Sequence, residues 1–186
     1  ISDRVLGIMA NPFYLDLGFT KAEIASVAKV FGFAMTIAGA ALGGVLVARY
    51  GSLRTMLLAA VMLALTNLMF AGLAVAGPRL DLLVFTISGD NLSAGLAGVA
   101  FIAYLSGLTN QAYTATQYAL FSSLMSVVGK FVSGWSGVVV EAWGYPTFFV
   151  YAAGTGIPAI ALVLVVMRHG AAAPAEPLPA TEDKVT

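Results

Sequence analysis

The residues in this sequence with the potential for chemistry are a few ionisable side chains set inside long apolar runs. Lys29 falls about two turns into one run. Asp90 lies near the middle of another, in Ser88-Gly89-Asp90-Asn91-Leu92-Ser93, and Lys130 near the middle of a third, in Val128-Gly129-Lys130-Phe131. Asp3 and Arg4 open a shorter apolar stretch. A charge at bilayer depth costs at least ~2.5–3.5 kcal/mol on insertion scales, so each such group needs a partner or water. Two arrangements meet that need. Asp90 can pair internally with Lys130 and lock a helix bundle, or the charges can line a wet cavity that handles a polar solute.

The polar neighbours favour the second arrangement. At helical spacing Asp90 is followed by Ser93, Ala97, Phe101 and Tyr104. Lys130 shares a face with Ser123, Ser126, Ser133 and Gly137, and Lys29 with Ala25, Gly32, Phe33 and Thr36. Such faces suit a cavity with hydrogen-bonding walls and cationic anchors, fit for sugar-containing or carboxylate-bearing solutes. For Tyr104 alone, packing is the plainer role. A carboxyl taken out of water holds its proton more tightly and a nearby lysine reverses this, so Asp3 and Asp90 are the candidates for proton coupling. Glu141 reads as a solvated helix-end residue.

Other chemistry is excluded by composition. Cysteine is absent, which removes disulfides, thiolate metal sites and cysteine nucleophiles. The sole histidine, His169, follows the last apolar run, so no histidine metal cage and no buried serine–histidine pair can form. No metal or other cofactor is expected. Nine basic residues balance nine acidic ones, leaving no basic surface for nucleic acid.

The elements that must position these residues are membrane helices. Of the 186 residues 60% are hydrophobic and 10% charged, too few charges to clothe a water-soluble domain. A spanning helix needs about 20 apolar residues. The stretches 22–48, 53–76, 82–108, 114–140 and 147–167 reach that length. They are separated by Arg49-Tyr50-Gly51-Ser52, Gly77-Pro78-Arg79, Thr109-Asn110-Gln111 and Trp143-Gly144-Tyr145-Pro146, which are polar or turn-forming clusters. The stretch 5–15 is too short to span, and an opening at Ile1 reads as a start within a helix whose first half is missing. Residues 169–186, rich in Ala, Pro and Glu, have little to bury and are expected to form a disordered cytoplasmic tail. The predicted fold class is therefore all-α and integral to the membrane. Residues 1–168 are read as a six-helix up-and-down bundle with its first helix truncated.

Small residues four apart, Gly39 with Gly43, Ala40 with Gly44, Ala94 with Gly98, and Gly129 with Ser133 and Gly137, predict close helix contacts without specifying a function. Arg49, Arg54, Arg168 and Lys184 fall on one side of the membrane. Lys21 and Arg79 fall on the other, with Asp16, Glu23, Asp81 and Glu141. The basic excess predicts that both termini are cytoplasmic.

Several motifs resemble a known family. Gly44-Val45-Leu46-Val47-Ala48-Arg49-Tyr50-Gly51, followed by Arg54, resembles the G-x-x-x-D-R-x-G-R-[RK] cytoplasmic loop of the major facilitator superfamily. Ala48 stands at its acidic position, and Ser52 and Leu53 replace its following basic pair, so Arg49, Gly51 and Arg54 are expected only to anchor and turn the chain. Asp90-Asn91-Leu92-Ser93-Ala94-Gly95-Leu96-Ala97-Gly98-Val99-Ala100-Phe101 resembles the acidic-Asn-Leu element of AmpG-type muropeptide permeases. Tyr113-Thr114-Ala115-Thr116-Gln117-Tyr118-Ala119-Leu120-Phe121-Ser122-Ser123-Leu124, Lys130, the stretch from Val140-Glu141 through Gly144-Tyr145-Pro146 to Phe149, and the opening Asp3 are similar to that family too.

The resemblance implies the C-terminal half of a two-half transporter in the bacterial inner membrane. Such permeases import anhydromuropeptides with the proton gradient, for cell-wall recycling and beta-lactamase induction. It implies protons, a muropeptide and lipid as partners, together with an N-terminal half without which this segment does not transport. Within that frame Lys29 and Lys130 are candidates for the substrate's carboxylates, and Asn91, Gln117 and Tyr104 for its neutral polar groups, near the midplane. Three other readings remain open. They are a major facilitator carrier of another anionic solute (peptide, sugar acid or acyl-CoA), a structural membrane subunit, and an intramembrane hydrolase in which Asp3 and Asp90 meet.

Overall fold

The computed structural model describes residues 2–108, 116–117, 119–120, 123–124, 127 and 134–170. Every regular element among them is helical. In order they are α1 (Ser2–Leu17), α2 (Lys21–Val27), a π-helical turn (Ala28–Gly32), α3 (Phe33–Tyr50), α4 (Ser52–Ala76), α5 (Leu80–Leu108), α6 (Ser136–Gly154) and α7 (Gly156–Gly170).

Local chemistry sets the boundaries. Gly18, with φ 106°, turns the chain out of α1. Thr20 then starts α2 with a capping box. Its Oγ1 accepts from the Glu23 N–H at 3.2 Å, and its own N–H donates to Glu23 Oε2 at 2.8 Å. The π turn does not interrupt the rod, so α2, the turn and α3 form one 30-residue span, Lys21–Tyr50. Glycines in the left-handed region, Gly51 at φ 84° and Gly77 at φ 82°, end α3 and α4.

Four helices among the described residues are long and apolar enough to cross a membrane: Lys21–Tyr50, Ser52–Ala76, Leu80–Gly107 and Gly137–His169. Three coincide with the expected spans 22–48, 53–76 and 82–108. The expected span 114–140 is described only in part, at 116–117, 119–120, 123–124, 127 and 134–140, and residues 171–186 of the tail lie outside the described residues.

The expected break at Trp143-Gly144-Tyr145-Pro146 coincides with the point where α6 leaves helical geometry. Gly144, at φ 73° and ψ 169°, divides α6 into two helical segments, and Pro146 stands in the first turn of the second. At Thr155 the backbone keeps helical dihedrals, and its N–H donates to the Tyr151 carbonyl at 3.0 Å, so the second segment runs on into α7.

Helix α5 packs between α3 and α4, while α4 also carries α6 and α7, and α1 lies against α6. Where α1, α4 and α6 meet, Phe13, Phe70, Phe148 and Phe149 are fully buried. Phe13 meets Phe149 edge-on with centroids 4.8 Å apart, and Phe70 stacks on Phe149 at 5.4 Å. Elsewhere large apolar side chains face outward, Phe33 at 68% and Phe85 at 70% exposure among them. Such a surface belongs against lipid.

In lipid, helices gain by close van der Waals contact rather than by expelling water. The α3–α5 seam shows this. A Cβ on Gly39 would strike the Leu92 carbonyl oxygen, and one on Gly95 would strike the Thr36 carbonyl oxygen. A Cβ on Gly43 would lie 3.2 Å from Leu96 Cα. The Gly39–Gly43 spacing therefore marks a real contact. Among the described residues nothing lies within 4 Å of a Cβ on Gly44, Gly98 or Gly137, and Gly129 and Ser133 lie outside the described residues.

Candidate functional site

A polar layer crosses the middle of α4 and α5. Thr66, Asn67, Thr86 and Ser93 are buried, and Asp90 and Asn91 are half-buried. Consecutive residues on a helix point about 100° apart, and α5 has a neighbour on either side. Asp90 consequently faces α4 and Asn91 faces α3. Thr66 Oγ1 lies 3.3 Å from Asp90 Oδ1 and 3.0 Å from the Leu63 carbonyl oxygen.

On the other side, Asn91 Nδ2 donates to the Ile87 carbonyl at 2.8 Å. Its Oδ1 accepts from Thr36 Oγ1 at 3.1 Å, and Thr36 Oγ1 also lies 2.9 Å from the Gly32 carbonyl oxygen. A Cβ on Gly32 would sit 3.4 Å from Asn91 Nδ2, so the π turn and α5 approach closely there. Widened turns of this type recur at functional sites. Ser93, buried below Asp90, returns its hydroxyl to the Gly89 carbonyl at 2.7 Å.

The other expected site residues are dispersed. Lys29 sits in the π turn and is exposed, lining with Asn11, Leu15, Lys21 and Ile24 a cleft of about 400 Å³ between α1 and α2. Tyr104 is half-buried four turns beyond Asp90 on α5, and Gln117 is half-buried. Asp3 lies in the first turn of α1. Its side chain lies outside the described features and Lys130 outside the described residues, so neither the Asp90–Lys130 pair nor an Asp3–Asp90 meeting is visible.

At one end of the bundle, Gly51 turns α3 into α4, and Thr55 Oγ1 donates to its carbonyl at 2.9 Å. Arg49 is exposed over the Tyr50 ring at 5.7 Å, and Arg54 is exposed. At the other end Arg79 and Asp81 form a salt bridge at 2.6 Å, both more than half exposed. Asp81 raises the proton affinity of the Arg79 guanidinium through their hydrogen bond. Such a surface pair adds little stability.

Sequence reasoning missed Thr66. The available signal was Thr66-Asn67, two adjacent polar residues near the centre of an otherwise apolar helix.

The helices and their buried polar layer define a multi-pass, all-α membrane segment with a carboxylate between two of its helices. The chain is 33% identical over 164 residues to "Putative transporter AmpG 4" of Rickettsia conorii, covering 88% of this chain and 40% of that protein. It is 32% identical over 168 residues to "Putative transporter AmpG 4" of Rickettsia felis, covering 90% and 41%. It is also 32% identical over 166 residues to "Putative transporter AmpG 1" of Rickettsia bellii, covering 89% and 40%. The chain belongs to this AmpG-type transporter family and spans about two fifths of the length of these relatives. No family model matches it.

Proposed function

We propose that this chain is the C-terminal six-helix half of a major-facilitator-type transporter, which imports anhydromuropeptides through the bacterial inner membrane with the proton gradient. Its termini face the cytoplasm, and an N-terminal half completes the cavity. Imported muropeptides would serve cell-wall recycling and the induction of beta-lactamase.

The observation that carries this reading is the half-buried Asp90 carboxylate, held by Thr66 in the middle of a long apolar helix. A carboxylate at that depth is costly unless its charge is used. Protonation of Asp90 neutralises it, and proton coupling follows from alternating between the two states. Asp3 is the second candidate for the same role. Lys29 and Lys130 are assigned to the carboxylates of the muropeptide, and Asn91, Gln117 and Tyr104 to its amides and sugar hydroxyls. Arg49, Gly51 and Arg54 hold the cytoplasmic turn.

The test uses the full-length protein in energised membrane vesicles and labelled anhydromuropeptide. Wild type takes up label only with a proton gradient, and simple dipeptides do not compete. Asp90→Asn and Lys130→Ala lose the uptake while still inserting. A folded, inserted wild type without uptake overturns the muropeptide assignment, leaving a carrier of another anionic solute.

A further inference from the structure

We infer that Thr66 is the positioning residue that sets the proton affinity of Asp90 and reports its protonation state to the backbone of α4. The inference rests on the reading of Asp90 as the proton-coupling carboxylate. Thr66 is buried, and its Oγ1 lies within hydrogen-bond reach of two acceptors, Asp90 Oδ1 at 3.3 Å and the Leu63 carbonyl oxygen at 3.0 Å. A hydroxyl carries one hydrogen and two lone pairs, so it serves one of these oxygens at a time.

The protonation state of Asp90 decides which. With Asp90 ionised, a hydrogen bond to a carboxylate is about twice as strong as one to a neutral carbonyl, and the Thr66 hydrogen turns to Asp90. When Asp90 takes a proton from water, its own O–H donates to the Thr66 lone pair. The Thr66 hydrogen then turns to the Leu63 carbonyl, one turn back on α4. Nothing but the proton is gained or lost. The two states therefore differ in the link between α4 and α5 and in the hydrogen bonding of an α4 carbonyl, at the helix pair that must sense the proton.

Among the described residues, Tyr14 of α1 is a titratable group that feels the Asp90 charge, and it is buried in the aromatic core. The polar residues that α3 and α4 bring to this layer, Thr36, Thr66 and Asn67, carry no charge. Lys29, in the π turn beside α5, is exposed in the cleft toward α1.

The test is an infrared pH titration of the purified full-length protein in liposomes, which needs no substrate. The carboxylic carbonyl band of Asp90 is the one that Asp90→Asn removes. Thr66→Val keeps the volume and deletes the hydrogen, so the charged form loses more than the neutral one. The titration midpoint then rises by about half to one pH unit, a three- to tenfold gain in proton affinity. Thr66→Ser restores the midpoint. Thr66→Ala shifts it in the same direction as Val, which covers the case in which Val fails to fold. The pH dependence of gradient-driven uptake moves with the band. An Asp90 band whose midpoint ignores Thr66→Val and Thr66→Ala overturns the role of Thr66 and leaves proton coupling at Asp90 intact. If Asp90→Asn removes no titrating band between about pH 4 and 9, the proton-coupling reading of Asp90 fails, and this inference with it.

Discussion

Tyr145 Oη donates to Asp16 Oδ2 at 2.6 Å, joining the end of α1 to the kink of α6 across 129 residues of sequence. The kink makes the bond possible. Gly144 takes a non-helical conformation, Pro146 follows, and the Tyr145 ring is turned onto Phe13 with centroids 5.0 Å apart. Tyr145→Phe keeps the ring contacts and removes the hydrogen bond. Because Asp16 is exposed, the expected loss is at the low end of the ~0.5–1.5 kcal/mol of a typical bond. Asp16→Ala matches it, the double variant costs no more than either alone, and Asp16→Asn, which still offers an oxygen, costs less. Reversible unfolding in detergent measures all four.

Gly39 and Gly95 make a sharper prediction, because each abuts a backbone oxygen of the facing helix. A flexible side chain can yield to an added methyl group, whereas a helix carbonyl can yield only if α3 and α5 separate. Gly39→Ala and Gly95→Ala should each destabilise by about 1–3 kcal/mol. Gly44→Ala and Gly98→Ala, where the new methyl meets nothing within 4 Å among the described residues, should leave stability unchanged or slightly raised. Melting temperatures in detergent separate the two pairs. Equal losses in all four would mean that the seam is not where α3 and α5 touch.

The contrast between these glycines shows how much of the architecture can be read from sequence. Helix lengths follow from apolar run length, and the turns at Gly51 and Gly77 follow from residues that permit a positive φ. Asp90 and Asn91 stand out because a polar group in an apolar run has a cost. Which neighbour each residue faces is not encoded the same way. In water, an amphipathic stripe marks the buried side of a helix. In lipid the outer face is as apolar as the inner one, so α4 and α5 are hydrophobic all round and carry no such stripe. That Asp90 faces α4 while the adjacent Asn91 faces α3 is therefore visible only in the structure. For the same reason Gly39 was legible as a contact residue while its partner Leu92, and the reciprocal Gly95, were not.

Asn91 and Thr36 offer a measure of what one hydrogen bond between these helices is worth. Thr36→Val leaves Asn91 bonded to the Ile87 carbonyl, and Asn91→Leu leaves Thr36 bonded to the Gly32 carbonyl. Thr36→Val also takes the hydrogen from the half-buried Asn91 Oδ1, so it should cost more than Asn91→Leu, which leaves no side-chain polar atom unpaired. A double-mutant cycle should give a coupling of about 0.6 kcal/mol, the usual size between membrane helices. A much larger value would mean that the close approach at Gly32 depends on this bond.

Lys29 poses the question of whether the cleft beside α1 is wet. Among the described residues Arg79 and Asp81 form an ion pair at the bundle end, and Lys29 lines its cleft with Asn11, Leu15 and Lys21. A charge about two turns inside a span, beside a second lysine, is tolerable if water reaches it. In a full-length protein otherwise free of cysteine, Lys29→Cys should therefore react with a charged, membrane-impermeant thiol reagent. The reacting species is the thiolate, which forms only where water is present. Two controls bracket the result: Ala59→Cys, at a buried position of α4, and Leu65→Cys, at an exposed apolar position of the same helix. Both should label at least about tenfold more slowly than Lys29→Cys. Labelling of Lys29→Cys as slow as that of Leu65→Cys would place Lys29 against lipid or in an occluded space, and would remove it from the proposed substrate cavity.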